Sequence, residues 1–166
     1  TVQKAASTVA AGDTVIVKAG TYGERVWVNG ANGTSGSPIT FQASGAVTLG
    51  SFYVFREWYV FDGFSYNGTG AGTYDGLVEL AAGAKNIQIL NSIFDTTAAC
   101  YHVSSFQLAA SNILVSGNSF LDTTYHSLSI QGTHYTAVST RWESPNGGDA
   151  LRLLCSTPHV RHNTWP

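Results

Sequence analysis

The chain has 166 residues, of which 43% are apolar and only 11% charged, with a net charge of −2. That apolar share supports one domain with a real core and excludes a disordered chain, while the lack of a basic field excludes a nucleic-acid partner, whose phosphates several Lys or Arg would have to meet. No run approaches the ~18 consecutive apolar residues that a membrane span requires.

Gly is abundant, at 18 residues, and Lys and Arg together number 8, a composition of turns and neutral polar sheets. Val2, Ala5, Ala6 and Val9 recur at i, i+3, i+4 and i+7, which puts small apolar side chains on one face of a short helix. After the Gly12-Asp13 turn, Thr14 to Lys18 is a β-branched strand ended by Ala19-Gly20-Thr21-Tyr22, Val26 to Val28 is a second, and Pro38 to Ala43 a third. Short strands joined by Gly-rich corners, with no helical pattern between them, predict an all-β coil rather than βαβ units.

The heptapeptide Asn91-Ser92-Ile93-Phe94-Asp95-Thr96-Thr97 returns, nearly unchanged, as Asn118-Ser119-Phe120-Leu121-Asp122-Thr123-Thr124. Such a recurrence inside strand-like sequence predicts a solenoid in which each repeat lies on the one before. Aligned on this repeat, Phe52-Tyr53-Val54, Leu77 to Leu80, Phe106-Gln107-Leu108, Leu128-Ser129-Ile130 and Leu151-Arg152-Leu153 are equivalent first strands. Trp58, Asn86, Asn112, His134 and His159 open the second strands. Asp62, Asn91, Asn118, Thr140 and Asn163 form a predicted corner ladder, and Phe64, Ile93, Phe120, Trp142 and Trp165 a predicted core column. Tyr53, Gln107, Ser129 and Arg152 share an outward column. The whole is a single domain over 1–166, a helical cap over 1–10 and about six or seven rungs over 11–166, read as part of a longer protein.

Ala11 to Tyr22, followed by Ser37-Pro38-Ile39-Thr40-Phe41, resembles the opening rungs of the right-handed parallel β-helix proteins of the pectate-lyase-like superfamily, and residues 112 to 120 resemble their repeating rung. The resemblance implies a single-stranded right-handed parallel β-helix. Function is left open by it, because the superfamily includes polysaccharide lyases, glycoside hydrolases, esterases, phage tailspikes and adhesins. Lyase action on uronates would imply Ca²⁺ or another cation and an Arg or Lys base. Ca²⁺ enters through the resemblance alone; no acidic cluster suggests it, no cofactor is predicted from the residues, and no motif of the family's catalytic residues matches.

One corner gathers chemistry. Tyr74-Asp75, Tyr101-His102, Tyr125-His126 and Gly148-Asp149 precede successive first strands at nearly regular intervals. Stacking would line up Asp75, His102, His126 and Asp149 as candidate catalytic groups, His exchanging protons near neutral pH, beside Tyr74, Tyr101, Tyr125 and Arg152 as candidate substrate-binding groups. Asp75 and Asp149 would stand three rungs apart, roughly 14 Å, too far for the paired carboxyls of a glycosidase; Glu143 with Asp149 is a loop pair. His159 and His162, three apart on a strand, face opposite sides and make no metal site. Cys100 and Cys155 fall at different corners, which predicts two thiols rather than a bridge.

The leading expectation is a secreted β-helix, extracellular or at the cell surface, acting on or binding a polysaccharide or cell-surface glycan. The alternative is a non-catalytic structural or adhesive module of a surface, filament or phage-fibre protein, associating end to end.

Overall fold

The computed structural model describes residues 1–68, 76–95, 101–121, 128–138, 141–142, 152–155 and 158–161, with side chains described over 1–68, 76–95 and 110–121. Helix α1 (Val2–Ala6) is followed by strands β1 (Thr14–Val28), β2 (Ile39–Val54), β3 (Glu57–Asp62), β4 (Ser65–Tyr66), β5 (Gly76–Leu80), β6 (Lys85–Leu90) and β7 (Ile93–Asp95). Then come β8 (Tyr101–Ser116), β9 (Ser119–Leu121), β10 (Leu128–Val138), β11 (Arg141–Trp142), β12 (Arg152–Cys155) and β13 (Pro158–Arg161). The named strands pair in parallel within one sheet that coils on itself.

Register divides the coil into three columns. The first stacks Val15, Phe41, Phe61, Ile89, Val115, Ala137 and Val160. The second stacks Tyr22, Leu49, Tyr66, Phe94, Phe120 and Trp142. The third stacks Val26, Phe52, Val78, Val103 and Leu128. β1 and β2 run through all three columns without a break; Ala19 to Tyr22 is a corner crossed by a register shift, not a strand end.

Alternation sends one side of each column inward. Phe41, Phe52, Phe61 and Phe94 are wholly buried, and Phe52 lies 4.5 Å from Phe61, 5.7 Å from Phe41 and 5.8 Å from Phe64, joining the columns at the centre. Fully burying one such side chain contributes about 1.5–3 kcal/mol. Val2, Ala6 and Val9 are buried and Ala5 packs against the core, so the helical cap expected at the start is formed.

The heptapeptide repeat stacks one residue out of step. Phe94 pairs with Phe120 and Ile93 with Ser119, so the spatial repeat is one position shorter than the repeat of the sequence motif. Phe94, not Ile93, therefore enters the aromatic column, stacking 4.7 Å from Tyr66 and 4.7 Å from Phe120, while Ile93 is 44% exposed. Phe64 is buried, but at the corner level of Ser92 and Asn118.

The two asparagines also part company. Asn91 adopts a left-handed conformation (φ 48°) at the level where Gly63 (φ 81°) and Gly117 (φ 67°) do the same. Its amide donates to Asp62 Oδ1 at 2.9 Å, and its Oδ1 lies where a side chain on Gly117 would begin. Asn118 is buried one position further on; its Nδ2 donates to the Ile89 carbonyl and its Oδ1 accepts from the Ser92 N–H, both at 2.8 Å. Asn suits either role, since it tolerates left-handed geometry and can satisfy a backbone donor and acceptor together. The expected corner ladder thus forms at its Asp62–Asn91 step but does not continue to Asn118, and a second side-chain pair forms where Asn112 donates to Asn86 Oδ1 at 3.0 Å and both are left-handed at φ 56°, with Trp58 at φ 62° on the preceding level. Asn86, Asn112 and His134 do open the first-column strands as the spacing predicted, but His159 pairs with Thr136, two positions past that point. Thr140, Asn163, Trp165 and Cys100 lie outside the described residues.

Replacing Asn118 by Ala strands two buried backbone groups and should cost about 2–4 kcal/mol. Asn91→Gly relieves left-handed strain while losing one exposed hydrogen bond, and should change stability by less than about 1 kcal/mol. Urea denaturation of both variants checks this; equal costs would mean that the asparagines are equivalent after all.

Candidate functional site

In the third column the side chains of Trp27, Tyr53 and Glu79 turn away from the core. Trp27 pairs with Tyr53, Tyr53 with Glu79, Glu79 with Ser104, Ser104 with Ser129 and Ser129 with Arg152. Ser104 thus holds the register position expected of Gln107. Between Ser105 and Ala110 the register jumps against β10, whose Ile130 and Gly132 are separated by one residue, so Phe106-Gln107-Leu108 are displaced from the column.

At the start of this column three aromatic rings meet. Trp27 stacks on Phe55 (5.5 Å, 12°) and tilts against Tyr53 (5.1 Å), and Tyr53 lies 4.3 Å from Phe55. Trp27 remains 45% exposed. Arg25 spreads its guanidinium over Tyr53 (4.9 Å) and Trp27 (5.7 Å), and its Nη2 donates to Glu79 Oε2 at 2.7 Å. Arg25 belongs to the level of Trp27 and Glu79 lies two levels on, so the ion pair bridges across the Tyr53 ring. Both charged side chains are largely covered, at 15% and 13% exposure, which makes this pair stronger than a solvated surface bridge.

Two features fix the platform from beneath. Gln3 of α1 brackets Trp27, its Nε2 donating to the Trp27 carbonyl at 3.1 Å and its Oε1 accepting from the Trp27 N–H at 2.7 Å, in the place of a neighbouring strand. The loop over 29–37 is tied down by Arg56, which donates to the carbonyls of Gly30 (2.7 Å) and Asn29 (2.8 Å), and by the Tyr59 hydroxyl, which donates to the Ala31 carbonyl at 2.7 Å. Gly33 packs so closely on the Trp58 carbonyl that a Cβ there would collide.

The other site residues expected from sequence are placed only in part. Tyr101 and His102 belong to β8, Tyr101 opposite Gly76 and His102 thereby opposite Leu77, and Arg152 opens β12 beside Ser129; their side chains are not described. Tyr74, Asp75, Tyr125, His126 and Asp149 lie outside the described residues, as does Glu143. Among the described residues no three His, Cys, Asp or Glu side chains come together. No helix among them is long and apolar enough to cross a membrane. Reading the rungs from the heptapeptide missed Arg25, Trp27, Phe55 and Glu79; the signal that finds them is the equality of the two intervals, from Trp27 to Tyr53 and from Tyr53 to Glu79.

Comparison with solved structures gives the same coil. A rhamnogalacturonan lyase superposes with a TM-score of 0.70 at 19% identity, over 98% of this chain and 51% of its own length. The chain folds as a right-handed parallel β-helix. A PL6 family polysaccharide lyase from Pseudopedobacter saltans matches this β-helix with a TM-score of 0.64 at 18% identity, over 95% of the chain and 39% of the lyase. The chain therefore spans about half or less of the lyases it resembles. No protein-family model and no curated protein sequence matches the β-helix.

The clamp on the 29–37 loop carries a pH signature. Burial pushes the Tyr59 phenol up to about 12, with the Arg56 charge pulling the other way, so the folded chain keeps a proton that the unfolded chain releases above pH ~10. The unfolded state then binds fewer protons, and stability falls as pH rises from about 10 to 12 while staying independent of this group below. Tyr66, wholly buried, is raised further and adds to the slope. Tyr59→Phe should reduce the alkaline loss by up to about 1.4 kcal/mol per pH unit, alongside a constant offset from the lost hydrogen bond. Urea midpoints between pH 9 and 12 measure it, and an unchanged slope would show that the hydroxyl titrates normally.

Proposed function

We propose that this β-helix is a secreted, carbohydrate-active protein that holds a polysaccharide along the third column, from Trp27 past Tyr53, Glu79, Ser104 and Ser129 to Arg152. The observation that carries the reading is the register of that column, which pairs one residue of each level with one of the next in an unbroken row, a repeat that an extended polymer can follow. The lyase folds it resembles support the same substrate class at the level of architecture.

Asp75, His102, His126 and Asp149 precede or open the strands of this same column in the sequence, and are proposed as the groups that act on the chain, with Tyr74, Tyr101, Tyr125 and Arg152 as contacts to its sugars. A neutral imidazole near physiological pH can take a proton from a bound sugar, and an imidazolium can return one to a leaving oxygen. Incubation with a panel of acidic and neutral polysaccharides, followed by assay of reducing and unsaturated ends, tests this. Release of ends by the wild type and its loss in His126→Ala is the expected result. Retention of the polymer without release would remove the catalytic assignment and leave a binding face, and a wild type that neither retains nor cleaves any polymer would overturn the proposal.

A second reading, a structural module that stacks end to end, is favoured by one observation. β1 pairs with β2 alone among the described strands, and Ile16, 52% exposed, lines a groove of about 390 Å³ together with Thr1, Val2, Ala5, Val15, Val17, Lys18 and Tyr22. A strand edge with such an exposed apolar side chain is a template for pairing with a second copy. Light scattering over a concentration series should then show self-association that Ile16→Lys suppresses; a monomer at every concentration would rule the reading out.

A further inference from the structure

Arg25 and Glu79 neutralise one another beneath the most exposed aromatic ring of the third column, and this bears on which sugar the platform takes. A polymer of uronates carries one carboxylate per acidic residue and needs an uncommitted cation to meet it. The guanidinium at this end of the column is instead already held by Glu79 at 2.7 Å and covered by two rings. A sugar carboxylate brought to it would displace Glu79 or stand beside it, and either outcome leaves one carboxylate without its charge partner in a partly dry setting. A second ion pair among the described residues, Lys85 with Glu57 at 4.0 Å, is likewise matched.

A neutral pyranose has the opposite requirements. One face of the ring is a patch of C–H groups, and it packs on an exposed aromatic surface without asking for charge, while its hydroxyls find polar groups at the rim. Trp27 supplies that surface: it is 45% exposed, backed by Phe55 and held at its own backbone by Gln3. Beside it the Arg25–Glu79 pair is largely covered and held in one position.

We infer that Trp27, with Tyr53, Phe55 and the closed Arg25–Glu79 pair, is a subsite for a neutral sugar residue of the polysaccharide, set apart along the column from any position that takes an acidic one. The inference rests on the proposed polysaccharide-binding function and assigns this end of the face its ligand class. Any acidic residue of the same polymer is left to the far end, toward Arg152.

Calorimetry with neutral hexose oligosaccharides and with oligogalacturonates, at low and high salt, tests it on the wild type, Trp27→Ala, Trp27→Phe and Glu79→Gln. Neutral oligosaccharides should bind with an affinity indifferent to salt, fall at least about 10-fold in Trp27→Ala and be restored largely in Trp27→Phe. Glu79→Gln should free Arg25 and give oligogalacturonate binding a gain that is screened by salt. Circular dichroism melting of Trp27→Ala shows that the fold persists, and the Phe variant keeps the test open if it does not. Neutral-oligosaccharide binding that Trp27→Ala leaves unchanged, or salt-sensitive oligogalacturonate binding by the wild type that Trp27→Ala abolishes, would overturn the subsite while leaving the polysaccharide-binding function standing. Failure of the wild type to bind any oligosaccharide or polymer would remove both.

Discussion

The parallel register is the constraint from which everything else in this protein follows. Each residue meets its equivalents above and below at a strand spacing of roughly 4.8 Å, so what a position can hold is decided by its column more than by its neighbours in sequence. The second column shows the consequence: Tyr66, Phe94 and Phe120 stack with interplanar angles of 15° and 14° because their levels present the same pocket. The corners obey it too, since Gly63, Asn91 and Gly117 share one left-handed turn and Trp58, Asn86 and Asn112 another.

That dependence explains what could be read from the sequence and what could not. Strand character, alternation and Gly-rich corners are local properties, and they sufficed for the coil, its parallel pairing and the helix over Val2 and Ala6. Register is a non-local property, and a similarity confined to one heptapeptide is weak evidence for it when Asn, Ser and an aromatic suit adjacent positions equally. The copy at Asn118 differs from that at Asn91 by having Phe immediately after Ser where the first has Ile and then Phe. The buried column selects the aromatic in both copies, and the chain slips by one to supply it; a one-residue slip then turns Ile93 outward and Asn118 inward. The cost of burying Asn118 is offset because it meets both Ile89 and Ser92.

The face of the third column was partly legible for the same reason. Tyr53, Ser129 and Arg152 could be grouped by pattern, but the alternating run from Val103 to Leu108 fits the strand in two phases, and only the register jump after Ser105 decides between them. Trp27 and Arg25 escaped because the first rungs carry no copy of the heptapeptide that set the alignment. The titratable corner is a different case: Asp75, His126 and Asp149 are joined to the face by sequence order, and their chemistry stays a proposal that substitution has to decide.

Inward positions are dictated by stacking, whereas outward positions carry no such demand, so an outward cluster as tightly organised as Arg25, Trp27, Tyr53, Phe55 and Glu79 calls for its own explanation. Stability supplies part of it. Arg25 ties the first level of the column to the third, its charge on the ring between them lowering the cost of removing it from water. The same contacts hold the Tyr53 ring and the guanidinium in one arrangement before any ligand arrives, which reduces the conformational entropy that binding would otherwise lose. In a chain with so few charges, a rigid aromatic surface with a closed ion pair can select by shape and by the absence of charge. On the proposed function, the parallel coil places such a surface at the start of the row that runs in register from Trp27 to Arg152.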